Sequence, residues 1–250
     1  MKPEVITAIF SAVVAVISAI ISVYGQTRIV RLTDRLAKQR EAASREAQTA
    51  ALMSKYRDPL LRSTIDLQSR LFNICQRKFL QRFYHRVESE KDYAILNTLY
   101  VVGEYFGWVE ILRREVQFLD LGDLETNRRL SNLLVNITKA FGTNDLETTF
   151  RLFNGEQRAI GEIMLVPRSS DGSTGYECMG YATFVEKMSA PEFARWFSKL
   201  RKDIEKLANE SDASKERLIL IHDRLIDLVD FLDSNCSRIA AEYRTRIKRR

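Results

Sequence analysis

Residues 5–24 form an uncharged, predominantly apolar run of twenty residues between Glu4 and a segment rich in arginine. At ~1.5 Å per helical residue, the run spans ~30 Å, which is the thickness of the hydrocarbon core of a bilayer. A helix of a soluble protein rarely stays apolar on all sides over that length. The run therefore predicts a single transmembrane anchor within residues 1–25.

A cleaved signal peptide is the alternative, and it fits the run less well. A secretory signal has a shorter apolar core that ends in small residues, whereas this stretch continues through residues 20–25 without a cleavage site. Only Lys2 and the amino terminus are positive before the run. The positive residues that follow it closely are Arg28, Arg31, Arg35, Lys38 and Arg40. The positive-inside rule then predicts an inner (plasma) membrane protein with its N-terminus outside and its C-terminal body in the cytoplasm.

Small residues occupy one side of the predicted span. At ~100° per residue, the hydroxyl-bearing residues share one arc and the alanines share the next, while bulky residues cover the remaining surface. Small residues at spacings of three and four let helices approach closely, and hydroxyls can form hydrogen bonds across the contact. The pattern predicts self-association, and a narrow pore lined by the hydroxyls is a more specific alternative. The predicted oligomer-facing or pore-facing residues are Thr7, Ala8, Ser11, Ala12, Ala15, Ser18, Ala19 and Ser22.

Residues 26–58 contain no glycine or proline and are rich in helix-forming residues. An approximately heptad apolar line runs along the segment and consists of Ile29, Leu32, Leu36, Ala43, Ala47 and Ala50. The line predicts a juxtamembrane helical stalk with coiled-coil character. The segment carries eight Lys or Arg residues against four Asp or Glu residues. The basic residues closest to the span are expected to face lipid headgroups, and a solvated helix explains the same charges.

Asp58 and Pro59 are expected to separate the stalk from a cytoplasmic domain, because Asp caps helices and Pro fits a first helical turn. From residue 59 to residue 235 the hydrophobic spacing is helical and no window alternates with a period of two, so an all-α bundle is predicted. The predicted helices cover residues 61–83, 93–121, 124–141, 146–165, 191–208 and 214–233, and the fourth is expected to be interrupted or bent near Asn154 and Gly155. A flexible loop is expected at residues 167–175, and a basic tail at residues 236–250.

Several features bear on chemistry without defining a reaction. Gly103 and Gly107 lie one helical turn apart and predict a close helix crossing. The three cysteines are scattered and the two histidines lie far apart, so neither a zinc site nor any other metal or cofactor site is predicted. The acidic residues Asp223, Asp227 and Asp230 share one helix edge, which is expected to be solvated. The basic tail is suited to lipid phosphate, to nucleic acid or to the acidic edge of a neighbouring subunit.

Arg217 and His222 resemble the Arg-x4-6-His signature of the helical HEPN ribonucleases. In that family the pair lies at a dimer interface and handles the scissile phosphate. The resemblance covers six residues, and Leu218 stands where the family usually has a polar residue. It implies a membrane-tethered ribonuclease as one alternative. The other reading is that His222 borders the core among aliphatic neighbours.

Two longer segments resemble parts of uncharacterised bacterial proteins that have an N-terminal membrane helix. The segments are YRDPLLRSTIDLQSRLFNI, from Tyr56, and FRLFNGEQRAIGE, from Phe150. The resemblance implies a bacterial source and no particular activity. Together with the span, it predicts a membrane-anchored helical protein that self-assembles and serves as an interaction or regulatory platform rather than as an enzyme. The expected partners are membrane lipid, further copies of the chain and a cytoplasmic protein. An oligomeric membrane pore or membrane-damaging effector is the rival from another class, and nucleic acid lacks specific support as a partner.

Overall fold

The computed structural model describes the chain over residues 3–115, 124–168, 175–210 and 213–248. Within these ranges, the side chains that it does not describe are those of residues 3–13, 15, 19–21, 45–46, 48–54 and 124. The chain divides into two compact units, Met1–Ala51 and Leu52–Arg250, which we call the N-terminal unit and the C-terminal unit.

Helix α1 (Pro3–Gln76) continues through Pro59, so the helix end expected at Asp58 and Pro59 is wrong. A proline inside a helix removes one backbone hydrogen bond and costs about 3 kcal/mol. The residues that follow it offset this cost, because Leu60 and Leu61 are only 2% and 3% exposed. Burying each such side chain contributes about 1.5–3 kcal/mol. Packing in the C-terminal unit therefore keeps the helix continuous where local propensity would end it.

The N-terminal unit consists of the first part of α1. The side chains of the five basic residues predicted to face lipid are all exposed, namely those of Arg28, Arg31, Arg35, Lys38 and Arg40. The described residues include no helix that is long and apolar enough to cross a bilayer. Of the predicted small-residue face, Ser18 and Ser22 are exposed. The side chains outside the described set are those of Thr7, Ala8, Ser11, Ala12, Ala15 and Ala19.

The described part of the C-terminal unit is predominantly helical, which confirms the all-α class. The helices after α1 are α2 (Phe79–Phe83), α3 (Glu88–Glu115), α4 (Leu124–Gly142), α5 (Asn154–Ile163), α6 (Tyr181–Lys187), α7 (Pro191–Ala194), α8 (Ser198–Asn209) and α9 (Glu216–Leu232). Short 3-10 helices cover Arg195–Phe197 and Ala241–Arg244. Helix α4 ends at Gly142, as its sequence predicts.

Three local features differ from the prediction. The helix expected over residues 61–83 is interrupted at Lys78, whose φ of 52° is left-handed, and α2 is therefore separate from α1. Residues 146–153 are not helical, and α5 begins only at Asn154. A small antiparallel hairpin pairs β1 (Leu165–Pro167) with β2 (Tyr176–Cys178) in the register Leu165↔Cys178. Strands of three residues are too short to show alternation in the sequence. Residues 169–174 of the predicted loop lie outside the described residues, as do residues 116–121 at the end of the second predicted helix and residues 249–250 of the basic tail.

Helix α3 packs closely against its neighbours through its glycines, which confirms the predicted close crossing. A Cβ atom at Gly107 would lie 2.7 Å from Cys178 Sγ, and one at Gly103 would lie 3.1 Å from Met164 Sδ. Gly161 of α5 approaches the same helix, since a Cβ there would lie 2.7 Å from Phe106 O. Larger side chains at these positions would force α3, α5 and β2 apart.

Candidate functional site

The segment after α9 folds back along that helix, and we call residues 236–248 the C-terminal strap. Arg246 Nη2 lies 2.7 Å from Asp227 Oδ1, and Arg244 Nη1 lies 3.0 Å from Asp230 Oδ1. Arg238 also forms an ion pair with Asp58 of α1. Within the C-terminal unit, the acidic edge is therefore neutralised by the basic tail of the same chain.

Asp233 fixes the start of the strap. It is 1% exposed and accepts hydrogen bonds from the backbone N–H groups of Ser237 and Ile239. Arg244 Nη2 also donates to its Oδ2 at 2.7 Å. Burial alone would raise the pKa of Asp233, but the hydrogen bonds from Ile239, Ser237 and Arg238 hold that pKa below its ordinary value. The carboxylate thus stays charged and holds the chain as it turns back.

The strap forms one wall of a cavity of about 450 Å³, and the end of α1 forms the other. This volume lies within the range of small-molecule sites in proteins. The residues that α1 contributes to the lining are Gln68, Ser69, Phe72, Asn73 and Arg77. The strap contributes Glu242, Tyr243 and Thr245. The cavity therefore combines amides, hydroxyls, two aromatic rings and one charge of each sign.

A chain of polar contacts fixes one cavity wall. Gln68 Nε2 lies 2.8 Å from Nε2 of His222, which is 0% exposed, and Gln68 Oε1 accepts a hydrogen bond from Ser69 Oγ at 3.3 Å. An amide nitrogen only donates, so Nε2 of the imidazole is the acceptor and its proton lies on Nδ1. Nδ1 in turn lies 3.8 Å from Asp223 Oδ1. Burial lowers the pKa of His222 to about 4, which keeps the ring neutral. The neutral ring thereby sets the orientation of the Gln68 amide at the cavity.

Arg217 and His222, the pair that resembles the HEPN signature, do not line this cavity. Arg217 is 2% exposed, and its guanidinium binds backbone carbonyl groups around the end of α4. Nη1 donates to Ala140 O and Phe141 O, each at 3.0 Å. Nη2 donates to Thr143 O, Leu146 O and Glu147 O at 2.9, 3.2 and 2.9 Å. These contacts give Arg217 a structural role, since its terminal nitrogens are occupied by carbonyl groups.

The remaining sequence features do not converge on this cavity. Cys75, Cys178 and Cys236 are free thiols, and burial raises the pKa of Cys75 to about 12. Among the described residues, no group of three His, Cys, Asp or Glu side chains is arranged to hold a metal ion. The five basic residues that follow the span, from Arg28 to Arg40, and the small residues of the span belong to the N-terminal unit.

Sequence reasoning did not identify the cavity-lining residues. Gln68, Ser69 and Asn73 form no motif, and they meet Tyr243 and Thr245 only through the fold. One signal was present in the sequence, because the acidic edge of α9 and the basic tail carry opposite charges. That signal predicts the position of the strap when the tail is read as a partner within the same chain.

Comparisons with known proteins leave the function to be argued from this geometry. No protein-family model, no curated protein and no solved structure matches the chain.

Proposed function

We propose that this protein is a single-pass, membrane-anchored helical protein that self-assembles and carries an interaction or regulatory unit on the cytoplasmic face. The observation that carries the proposal is the continuity of α1. This one helix contains the apolar run of residues 5–24 and also the core residues Leu67, Leu71 and Ile74, each 0% exposed. Insertion of the run in a bilayer would therefore tether the C-terminal unit to the membrane, because α1 also contributes to the core of that unit.

The register of α1 supports self-assembly with a second copy of the chain. Positions 11, 15, 18, 22, 25, 29, 32 and 36 follow one another at alternating spacings of four and three residues. Up to Gly25 this line holds only Ser, Ala and Gly, whereas Ile29, Leu32 and Leu36 continue it with large apolar side chains. These three are 64%, 61% and 47% exposed. We call this line of eight positions the seam. Small residues favour contacts between helices in lipid, and large apolar residues favour such contacts in water, so the seam suits helix association in both environments.

The anchor is tested by fractionation and topology. We expect the full-length protein to remain in the membrane pellet after alkaline carbonate washing. Alkaline phosphatase fused after Arg250 should stay inactive, and a cytoplasmic reporter at the same position should be active. Recovery of the protein in the soluble fraction would refute the anchor, and an active phosphatase would refute the orientation.

Cysteine cross-linking in native membranes tests the seam. In a Cys236→Ser background, we expect Leu32→Cys to form a disulfide-linked dimer on mild oxidation, because residues on the seam meet their counterparts. Asp34→Cys is the matched control, since it lies two residues away on the other side of the helix. Equal cross-linking of Leu32→Cys and Asp34→Cys, or none from either, would contradict assembly along this seam.

A further inference from the structure

Two opposite charges line the cavity between α1 and the strap without pairing with each other. Arg77 belongs to the α1 wall and Glu242 to the strap wall. In the described part of the chain, no ion pair within 4.0 Å joins them. The guanidinium carbon of Arg77, an exposed residue, lies 5.8 Å from the centroid of the Phe72 ring, within the range of a cation–π contact. The cavity thus presents a cation and an anion at separate places on its lining.

This charge arrangement discriminates among ligands. A ligand with a single negative charge would be attracted by Arg77 and repelled by Glu242. A ligand with a single positive charge would be attracted by Glu242 and repelled by Arg77. A ligand that carries both charges can satisfy each wall at once. Charge-assisted hydrogen bonds of this kind are stronger than those between neutral groups.

The uncharged lining adds a second requirement. Phe72 and Tyr243 offer aromatic surface for an apolar or aromatic group. Gln68 is 3% exposed and its amide is held from both ends, by His222 and by Ser69. Its second N–H group and the remaining lone pair of its oxygen are oriented before any ligand arrives, which reduces the entropy lost on binding.

From these observations we propose that the cavity binds a small zwitterion of the amino-acid class, with its carboxylate at Arg77, its ammonium at Glu242 and its side chain against Phe72 and Tyr243. The proposal goes beyond the membrane-anchored function, because the cavity lies within the C-terminal unit alone. A cavity of about 450 Å³ holds a free amino acid with a large side chain together with some water. A ligand of about ten non-hydrogen atoms suits a Kd between ~10 μM and ~1 mM.

The test is isothermal titration calorimetry of the full-length protein in detergent with each of the standard α-amino acids. We expect binding by one or more members with a large apolar or aromatic side chain. Arg77→Gln and Glu242→Gln should each weaken binding about tenfold or more, since each removes one charged partner. The controls are Arg82→Gln and Glu177→Gln, which remove exposed charges outside the lining and should bind as the wild type does.

Analogues that lack one charge make the assignment specific. The amine without a carboxylate is repelled by Arg77, so it should bind Arg77→Gln more tightly than the wild type. The acid without an ammonium is repelled by Glu242, so it should bind Glu242→Gln more tightly than the wild type. The proposal is overturned if no amino acid binds the folded protein, or if both cavity variants bind as well as the controls. Tighter binding of inorganic phosphate than of any amino acid would also overturn it, because a dianion should be repelled by Glu242.

Discussion

Replacing Arg217 with Met should destabilise the C-terminal unit by about 3 kcal/mol. A hydrogen bond from a charged donor contributes about 1.5 kcal/mol net, so the five bonds to carbonyl groups set an upper limit of about 7.5 kcal/mol. The carbonyl groups that accept from Nη2 are only partly buried and regain water when the guanidinium is removed. The two bonds to Ala140 and Phe141 are buried and are not replaced by water, so at about 1.5 kcal/mol each their loss comes to about 3 kcal/mol.

Thermal melting followed by tryptophan fluorescence measures this loss. The two tryptophans, Trp108 and Trp196, both lie in the C-terminal unit, so they report on that unit. For about 200 residues, a loss of 3 kcal/mol lowers Tm by about 6–12 °C. The Tm of Arg217→Lys should lie between those of the wild type and Arg217→Met, because one ammonium group cannot reach all five carbonyl groups. Arg158→Met removes an exposed arginine and is the control. A Tm for Arg217→Met within about 2 °C of the control would refute the reasoning.

Three further outcomes are expected. Burial lowers the pKa of His222 from 6.5 to about 4, so between these values the unfolded chain binds a proton that the folded chain does not. Stability should therefore fall by up to about 3 kcal/mol as the pH drops through this window, and His222→Gln should flatten the dependence of Tm on pH there. Arg244→Gln should destabilise the unit by about 2–3 kcal/mol in urea unfolding, since its partner Asp233 is buried. Arg246→Gln should lower the free energy of unfolding by less than about 1 kcal/mol, because the side chain of Arg246 is half exposed. Equal losses of stability in Arg244→Gln and Arg246→Gln would contradict this expectation. Liposomes that contain either the wild type or the Ser18→Leu variant should show no ion conductance. Conductance by the wild type that is absent in Ser18→Leu would favour a pore over an anchor.

The sequence was most informative where one local rule acts alone. Hydrophobic spacing predicts the helical class, and Gly142 marks the end of α4 as its local propensity predicts. Pro59 shows the opposite case, since burial of the leucines after it outweighs the local penalty. Lys78 adopts a left-handed φ although nothing in its type requires one.

The candidate site could not be predicted, because its two walls are brought together by packing. Gln68 is an ordinary polar residue in a helix until His222, 154 positions later, is placed beside it. Likewise, Arg217 acquires its role only when α9 lies against the end of α4. Spacing within one segment carries no information about either contact. The charge of the tail suggested lipid phosphate, nucleic acid or a neighbouring subunit as its partner, whereas Arg244 and Arg246 pair with Asp230 and Asp227 of their own chain.

The position of the cavity has a consequence for how the C-terminal unit opens. Its walls belong to segments far apart in the chain, and beside it Gln76 Nε2 donates to Lys248 O at 3.4 Å across 172 residues. A molecule bound to both walls would act as a non-covalent cross-link that closes this long loop. Separating the strap from α1 would then require the bound molecule to leave first. Occupancy of the cavity would thereby slow hydrogen exchange across the interface between α1 and the strap.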